Sequence, residues 1–346
     1  MGSKKHIMVG DVKIGGAAPV TIQSMTNTKT DNIQETAKQI NMLSDLGCDI
    51  IRVAVPDFSA ADAIYELKKQ INIPLIADIH FNYKLAIRAA QQGADKLRIN
   101  PSNIGTAENV GEIASICNDK GVPIRVGVNS GSISKQLLEK HGGVTAQAMY
   151  ESAMESVELL NYFDFDDICI SVKASSVALT IEAYRLISQE TDYPLHLGVT
   201  EAGTEYMGLV KSSIGIGSLL ADGIGDTLRV SLTAPVENEV AAGLAILKAL
   251  NLRQGYELIS CPTCGRCKID LVSIAHEVEG RLLALDRDIT VAVMGCAVNG
   301  PGEASRADYG IAGGDGAGVI FAKGEVVKTV PMENLVEELF SIIEKD

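Results

Sequence analysis

Cys261, Cys264 and Cys267 stand two residues apart in ISCPTCGRC, Cys296 follows in VMGCAVNGPGEA, and Glu303 lies seven residues beyond it. Soft thiolates gathered from two loops hold iron-sulfur clusters or zinc. The C-x2-C-x2-C run lacks the C-x3-C-x2-C spacing of radical SAM enzymes. A zinc site could close through His276 or Cys296, and spacing alone leaves that open. The surroundings of Cys296 favour a cluster, because a Gly/Pro turn after a strand brings backbone N–H groups toward sulfur. Glu303 offers a harder oxygen ligand at one iron, and a weakly held corner can open to substrate. Cys48, Cys117 and Cys169 sit singly in apolar or helical surroundings, where cysteine behaves as a small buried hydrophobe.

The second set of reactive side chains is cationic. An apolar-Arg-apolar pattern places Arg52, Arg98, Arg125 and Arg229 inside strand-like runs, and Lys173 ends another. A strand covered on both faces rarely carries a guanidinium, because an unpaired buried charge is costly. Internal pairing with Asp78, Asp226 or Glu201 is one way to meet that cost. Convergence of all five on one rim favours an anionic substrate instead, and guanidinium forks suit the oxygens of a diphosphate. Gln23, Asp78, His80, Asn82, Asn100, Asn129, His196, Glu201 and Ser231 fall late in the same runs or just past them. Glu201, in LGVTEAG, is placed to exchange a proton with substrate if its surroundings tune it.

These residues need a scaffold that brings many strand ends together. Eight short apolar runs alternate with helical patterns, at 19–25, 49–55, 74–80, 95–100, 123–129, 167–172, 194–200 and 226–232. That repeat predicts an α/β TIM barrel, whose active site lies at the C-terminal strand ends. A doubly wound sheet is the alternative, but no G-x-G-x-x-G follows the first strand. Gly215 and Gly217 are expected to allow a tight turn before the last barrel strand. The pattern changes near residues 252–256, so a barrel over 1–251 and a smaller α+β domain over 252–346 are expected.

Hydrophobic residues make up 46% of the 346-residue chain, enough for two packed cores, and the net charge of −14 disfavours nucleic acid and anionic membranes as partners. No run of about 18 apolar residues is present, and MGSKKHIMVG lacks the apolar core of a signal peptide, so a cytoplasmic location is expected.

The motifs QSMTNT, IRVAVP, ADIHFN, LRINPSNIG, RVGVNSGS, SVKAS, LGVTEAG, GDTLRVSLT, SCPTCGR and MGCAVNGPGEA occur in order along nearly the whole chain. In this the chain resembles the 4-hydroxy-3-methylbut-2-enyl diphosphate synthases of non-mevalonate isoprenoid biosynthesis, in their two-domain bacterial form. The resemblance implies a TIM barrel and a cluster domain, with a 4Fe-4S cluster held by Cys261, Cys264, Cys296 and a labile Glu303. Cys267 lies where the family does not require cysteine and is expected to stand outside the site. Arg52, Arg98, Arg125, Asn129, Lys173 and Ser231 would hold the substrate diphosphate, Glu201 would be the acid/base group, and Glu303 would also serve catalysis. The implied reaction is the two-electron reductive ring opening and dehydroxylation of 2-C-methyl-D-erythritol 2,4-cyclodiphosphate. Flavodoxin or ferredoxin would supply electrons, and a homodimer is implied.

Overall fold

A computed structural model describes residues 2–285, 287–296 and 306–346. The backbone divides into two compact units, Met1–Leu252 and Arg253–Asp346.

The first unit begins with an antiparallel hairpin, β1 (His6–Val9) and β2 (Val12–Gly15). Eight parallel strands follow: β3 (Thr21–Met25), β4 (Ile50–Ala54), β5 (Leu75–Asp78), β6 (Lys96–Ile99), β7 (Ile124–Asn129), β8 (Ile168–Lys173), β9 (His196–Leu197) and β10 (Thr227–Leu228). They run in the order β8-β7-β6-β5-β4-β3-β10-β9, and the circle is completed where Ile170 pairs with Leu195 and its N–H donates to the Pro194 carbonyl at 2.8 Å. This is the TIM barrel that the alternating pattern predicts. The apolar runs outlast the ladders at β9 and β10, whose paired segments are two residues each.

Helices follow the strands and cover them. They are α1 (Ile33–Asp45), α2 (Phe58–Lys68), α3 (Tyr83–Gln91), α4 (Ala107–Lys120), α5 (Lys135–His141), α6 (Ala146–Tyr162), α7 (Val177–Glu190), α8 (Glu205–Ala221) and α9 (Val236–Ala249). Side-chain caps set several starts: Asp57 accepts from Ala60 N–H at 2.9 Å, and Thr145 from Ala148 N–H at 3.1 Å. Gly215 and Gly217 form no turn but lie inside α8. A Cβ on Gly215 would stand 2.7 Å from Val199 Cγ2, so glycine lets α8 approach the chain beyond β9. The turn expected there is made later, by Gly223 and Gly225, both at positive φ.

Strand alternation decides which way each charge points. Ile124, Val126 and Val128 of β7, like Ile168, Ile170 and Val172 of β8, join the large core beneath the helices. Arg125, Gly127 and Asn129, like Cys169, Ser171 and Lys173, therefore face the barrel axis. At the N-terminal end of that axis Ile7, Val9 and Ile14 of the hairpin pack with Ile50, Ile76 and Cys169, closing the barrel with an apolar plug. The elements expected from sequence begin only at residue 19, so this hairpin adds to them.

The second unit holds β11 (Glu257–Ser260), α10 (Leu271–Leu285), β12 (Thr290–Met294), β13 (Tyr309–Ala312), β14 (Ala317–Ala322), β15 (Glu325–Pro331) and α11 (Leu335–Ile343). Its sheet runs β11 to β15 in order, parallel across β11, β12 and β13 and antiparallel beyond. Val291 and Val293 pack with α10 and α11, whereas Ala292 and Met294 face a smaller cluster with Phe321.

Candidate functional site

At the C-terminal end of the barrel the inward side chains enclose a cavity of about 160 Å³. Arg52, Arg98, Arg125, Lys173 and Arg229 line it with Asp78, His80, Asn129, Thr200 and Ser231. Each cation comes from a different strand or strand end, so the repeat of one βα unit brings together what the sequence separates by up to 177 positions.

Carboxylates meet only part of this charge. Asp78 accepts from Arg98 Nη1 at 3.1 Å and lies 3.6 Å from Arg52 Nε and 3.7 Å from His80 Nε2. Burial alone would raise the Asp78 carboxyl, but Arg52 and Arg98 outweigh it and hold it below the usual range. Arg229 donates to Glu239 of α9, at 3.1 Å from Nη2 and 3.3 Å from Nε. Arg52 also donates to Met25 Sδ at 3.2 Å from Nε and 3.0 Å from Nη2, a weak acceptor for a guanidinium. Arg125, 1% exposed, reaches Gln23 Oε1 at 3.4 Å and pairs with no carboxylate among the described residues. Burial and the neighbouring Arg98 bring its guanidinium down to about 10. Burial, then Arg125 and Arg52, hold Lys173 well below its ordinary value. The rim is thus under electrostatic strain, which a negative charge in the cavity would relieve.

Two glycines make room for these cations. A Cβ on Gly127 would lie 2.6 Å from Arg98 Nε, and one on Gly198 would lie 2.7 Å from Lys173 Nζ and 2.8 Å from the Arg229 carbonyl oxygen. These inward positions and Glu239 were missed from sequence. Alternation along RVGVN would have found Gly127, but no local pattern marks the helical partner of Arg229.

Other expected rim residues divide by depth. Gln23 lies below the cavity as the partner of Arg125. His196 is fully buried, and burial with Arg125 and Lys173 keeps it well below its usual value. Asn82 caps α3 through Lys84 N–H at 3.1 Å, and Asn100 accepts from Ser102 N–H at 3.2 Å, so both act on the backbone. Asp226 faces the opposite end, where it accepts from Leu195 N–H at 2.8 Å and Ser3 N–H at 3.0 Å. Glu201 is exposed, follows the cavity residue Thr200, and holds φ at 52°, a conformation costly for a residue with a side chain.

In the second unit, Cys261 follows β11 and Cys296 follows β12, so both leave the same end of adjacent parallel strands. Gly295 N–H donates to Cys261 Sγ at 3.2 Å. Cys267 donates to the Ile269 carbonyl at 3.2 Å, and a Cβ on Gly295 would stand 2.7 Å from its sulfur. Cys264 is exposed, and hydrogen bonds involving Arg266 lower its thiol below the ordinary value. Glu303 lies outside the described residues. Among the described residues no three of His, Cys, Asp and Glu converge as metal ligands.

Residues 4–244 match the sequence model of the GcpE TIM-barrel domain, and residues 257–345 match that of the GcpE protein C-terminal domain. The chain belongs to the GcpE family. Three relatives of this GcpE chain carry the name 4-hydroxy-3-methylbut-2-en-1-yl diphosphate synthase (flavodoxin). The relative from Caldanaerobacter subterraneus is 57% identical, the match covering 99% of this chain and 96% of the relative. That from Clostridium perfringens is 56% identical over 98% of each chain, and that from Geobacter sulfurreducens is 54% identical over 99% of this chain and 97% of its own. Among solved structures, a dihydropteroate synthase from Xanthomonas albilineans matches with a TM-score of 0.51 and 14% identity, covering 71% of this chain and 98% of that one. A DAHP synthase from Thermotoga maritima matches at 0.50 and 14%, covering 72% and 75%. At such identity these structures share the barrel fold alone. No helix among the described residues is long and apolar enough to cross a membrane.

Proposed function

We propose that the chain reduces 2-C-methyl-D-erythritol 2,4-cyclodiphosphate to (E)-4-hydroxy-3-methylbut-2-enyl diphosphate, opening the ring and removing a hydroxyl as water. The observation that carries this reading is the cavity with five cations and one lining carboxylate, Asp78, in a GcpE-family barrel. With Glu239 counted as well, three positive charges remain unmatched, enough to receive a dianion.

In this reading residues 1–251 bind substrate and residues 252–346 carry the cluster. Arg52, Arg98, Arg125, Asn129, Lys173 and Ser231 hold the diphosphate, and Arg229, braced by Glu239, joins them. The cyclic substrate carries two negative charges. Two electrons and one proton convert it to water and an open diphosphate bearing three, as the ring C–O bond breaks. The charge gained therefore develops on the group that the cations hold, so they stabilise the open diphosphate more than the closed ring. Glu201 supplies the proton to the departing hydroxyl.

The donor set of the second unit fits an iron-sulfur cluster: thiols beside adjacent strand ends and a backbone N–H already directed at one sulfur. Cys261, Cys264 and Cys296 would hold three irons of a 4Fe-4S cluster and Glu303 the fourth. When bound, the cluster supplies the two electrons one at a time. Cys267, engaged with Ile269, stands apart from that set. The relatives' names support flavodoxin as electron donor, ferredoxin is the alternative, and the functional unit is a homodimer.

Anaerobic reconstitution of this protein should give about four irons per chain with a broad visible absorption. Turnover of the cyclic diphosphate should require reduced flavodoxin or ferredoxin and should be lost in Glu303→Ala with the iron retained. One zinc per chain and a colourless protein would overturn the redox reading.

A further inference from the structure

Below the cavity, between the cationic rim and the apolar plug, the barrel holds a cation that the proposed reaction leaves unused. Lys96 opens β6 two residues before Arg98, and alternation puts both on the inward face while Leu97 and Ile99 join the outer core. Its parallel partner on β5 is Ile76 of the plug. The side chain has no exposed surface, and its Nζ has no hydrogen-bond partner among the described residues.

Of the groups around it, Cys169 of β8 favours its charge, and the others give no free counter-charge among the described residues. Arg52 of β4, Arg98 of its own strand, Arg125 of β7 and Lys173 of β8 repel it or one another. Cys169 of β8 is a thiol whose ionisation burial opposes, and His196 of β9 is kept neutral by burial and these cations. Asp78 is taken by Arg52 and Arg98, Glu239 by Arg229, and Asp226 by two backbone N–H groups. Tyr184 donates to the His196 carbonyl, and burial pushes its hydroxyl far above the usual value.

An amine so placed is stable either neutral or balanced by an anion in the cavity above. Resting on the diphosphate reading, we propose that Lys96 is a positioning residue of that site, taking a proton from solvent as the dianion binds and holding it from the layer beneath. Burial, opposed by Cys169 but reinforced by Arg125 and Arg52, brings Lys96 in the ligand-free barrel down to about 8, so the uptake belongs to mildly alkaline conditions. The cyclic diphosphate has one strongly acidic hydroxyl per phosphorus, both ionised, and gives no proton of its own near neutrality. The positioning role therefore has a signature that packing alone would lack.

The test is calorimetric titration of the reconstituted full chain with the cyclic diphosphate, without reductant, in Tris and in TAPS, whose ionisation enthalpies differ. At pH 8.5 binding should take up a measurable fraction of a proton per site, and less at pH 7.5. Lys96→Met should lose the uptake and bind roughly tenfold more weakly at pH 7, with Lys96→Gln as a second neutral variant. Tight binding by the unmodified protein with no uptake at pH 8.5 would sink the inference and leave the proposed function standing. Uptake that persists in both variants would move the proton to another group, such as Lys173 at the rim, and would also overturn the role of Lys96 without touching the proposed function. Failure of the cyclic diphosphate to bind the unmodified protein would remove the functional reading itself.

Discussion

The two ends of the barrel are built by opposite rules. At the N-terminal end Ile7, Val9, Ile14, Ile50, Ile76 and Cys169 meet as an apolar plug with no charge among them. At the C-terminal end five cations crowd one small cavity. The first arrangement lowers the energy of the folded chain. The second raises it, since burial and mutual repulsion depress Arg52, Arg125 and Lys173. Stability and function are thus segregated along the axis, and the mouth tolerates its cost because the plug and outer core hold the barrel closed.

Substitutions at the two ends should separate these effects. Arg125→Ala should weaken binding of the cyclic diphosphate at least a hundredfold by calorimetry, consistent with about 2–5 kcal/mol for truncating a buried charged contact. Its urea midpoint should stay level or rise, because an unpaired buried cation has gone; a large fall would show that the mouth also supports the fold. Ile14→Ala is the mirror image. It should cost about 2–5 kcal/mol in urea unfolding and leave the affinity of the folded protein unchanged. Loss of affinity in step with stability would erase the distinction between the ends. The smallest effect belongs to Gly198→Ala, whose Cβ must displace Lys173 Nζ and press on the Arg229 carbonyl. Overpacking of about 1–3 kcal/mol should appear as roughly tenfold weaker binding with an intact unfolding transition.

The barrel was legible because its signal is periodic. Eight β-branched runs at regular intervals leave few topologies, and an arginine amid apolar neighbours on a doubly covered strand must point to the axis. Alternation alone therefore places Arg52, Arg98, Arg125, Lys173 and Arg229 together. What sequence concealed depended on contact between distant segments. The partner of Arg229 is Glu239 on the following helix, rather than any strand-end acid. Gly215 reads as a turn residue, yet it sits in a helix because Val199 leaves no room for a side chain there. Lys96 shares the face of Arg98, but it opens its strand, and a barrel whose chemistry lies at the strand ends gives no reason to single out a residue at the start. In the second unit, the cysteine spacing alone left zinc open; the Gly/Pro turn around Cys296 favoured a cluster, and the full ligand set with Glu303 came only with the resemblance.

The buried placement of the cations also governs how the protein meets its ligand in solution. A chain of net charge −14 repels a dianion at long range, while the attraction resides in a recess only about 160 Å³ in volume. Dissolved salt screens the outer repulsion over about 10 Å at 0.1 M but hardly reaches the contacts inside the barrel. Ionic strength, which usually loosens the grip of basic proteins on phosphates, should here ease entry and leave the grip intact.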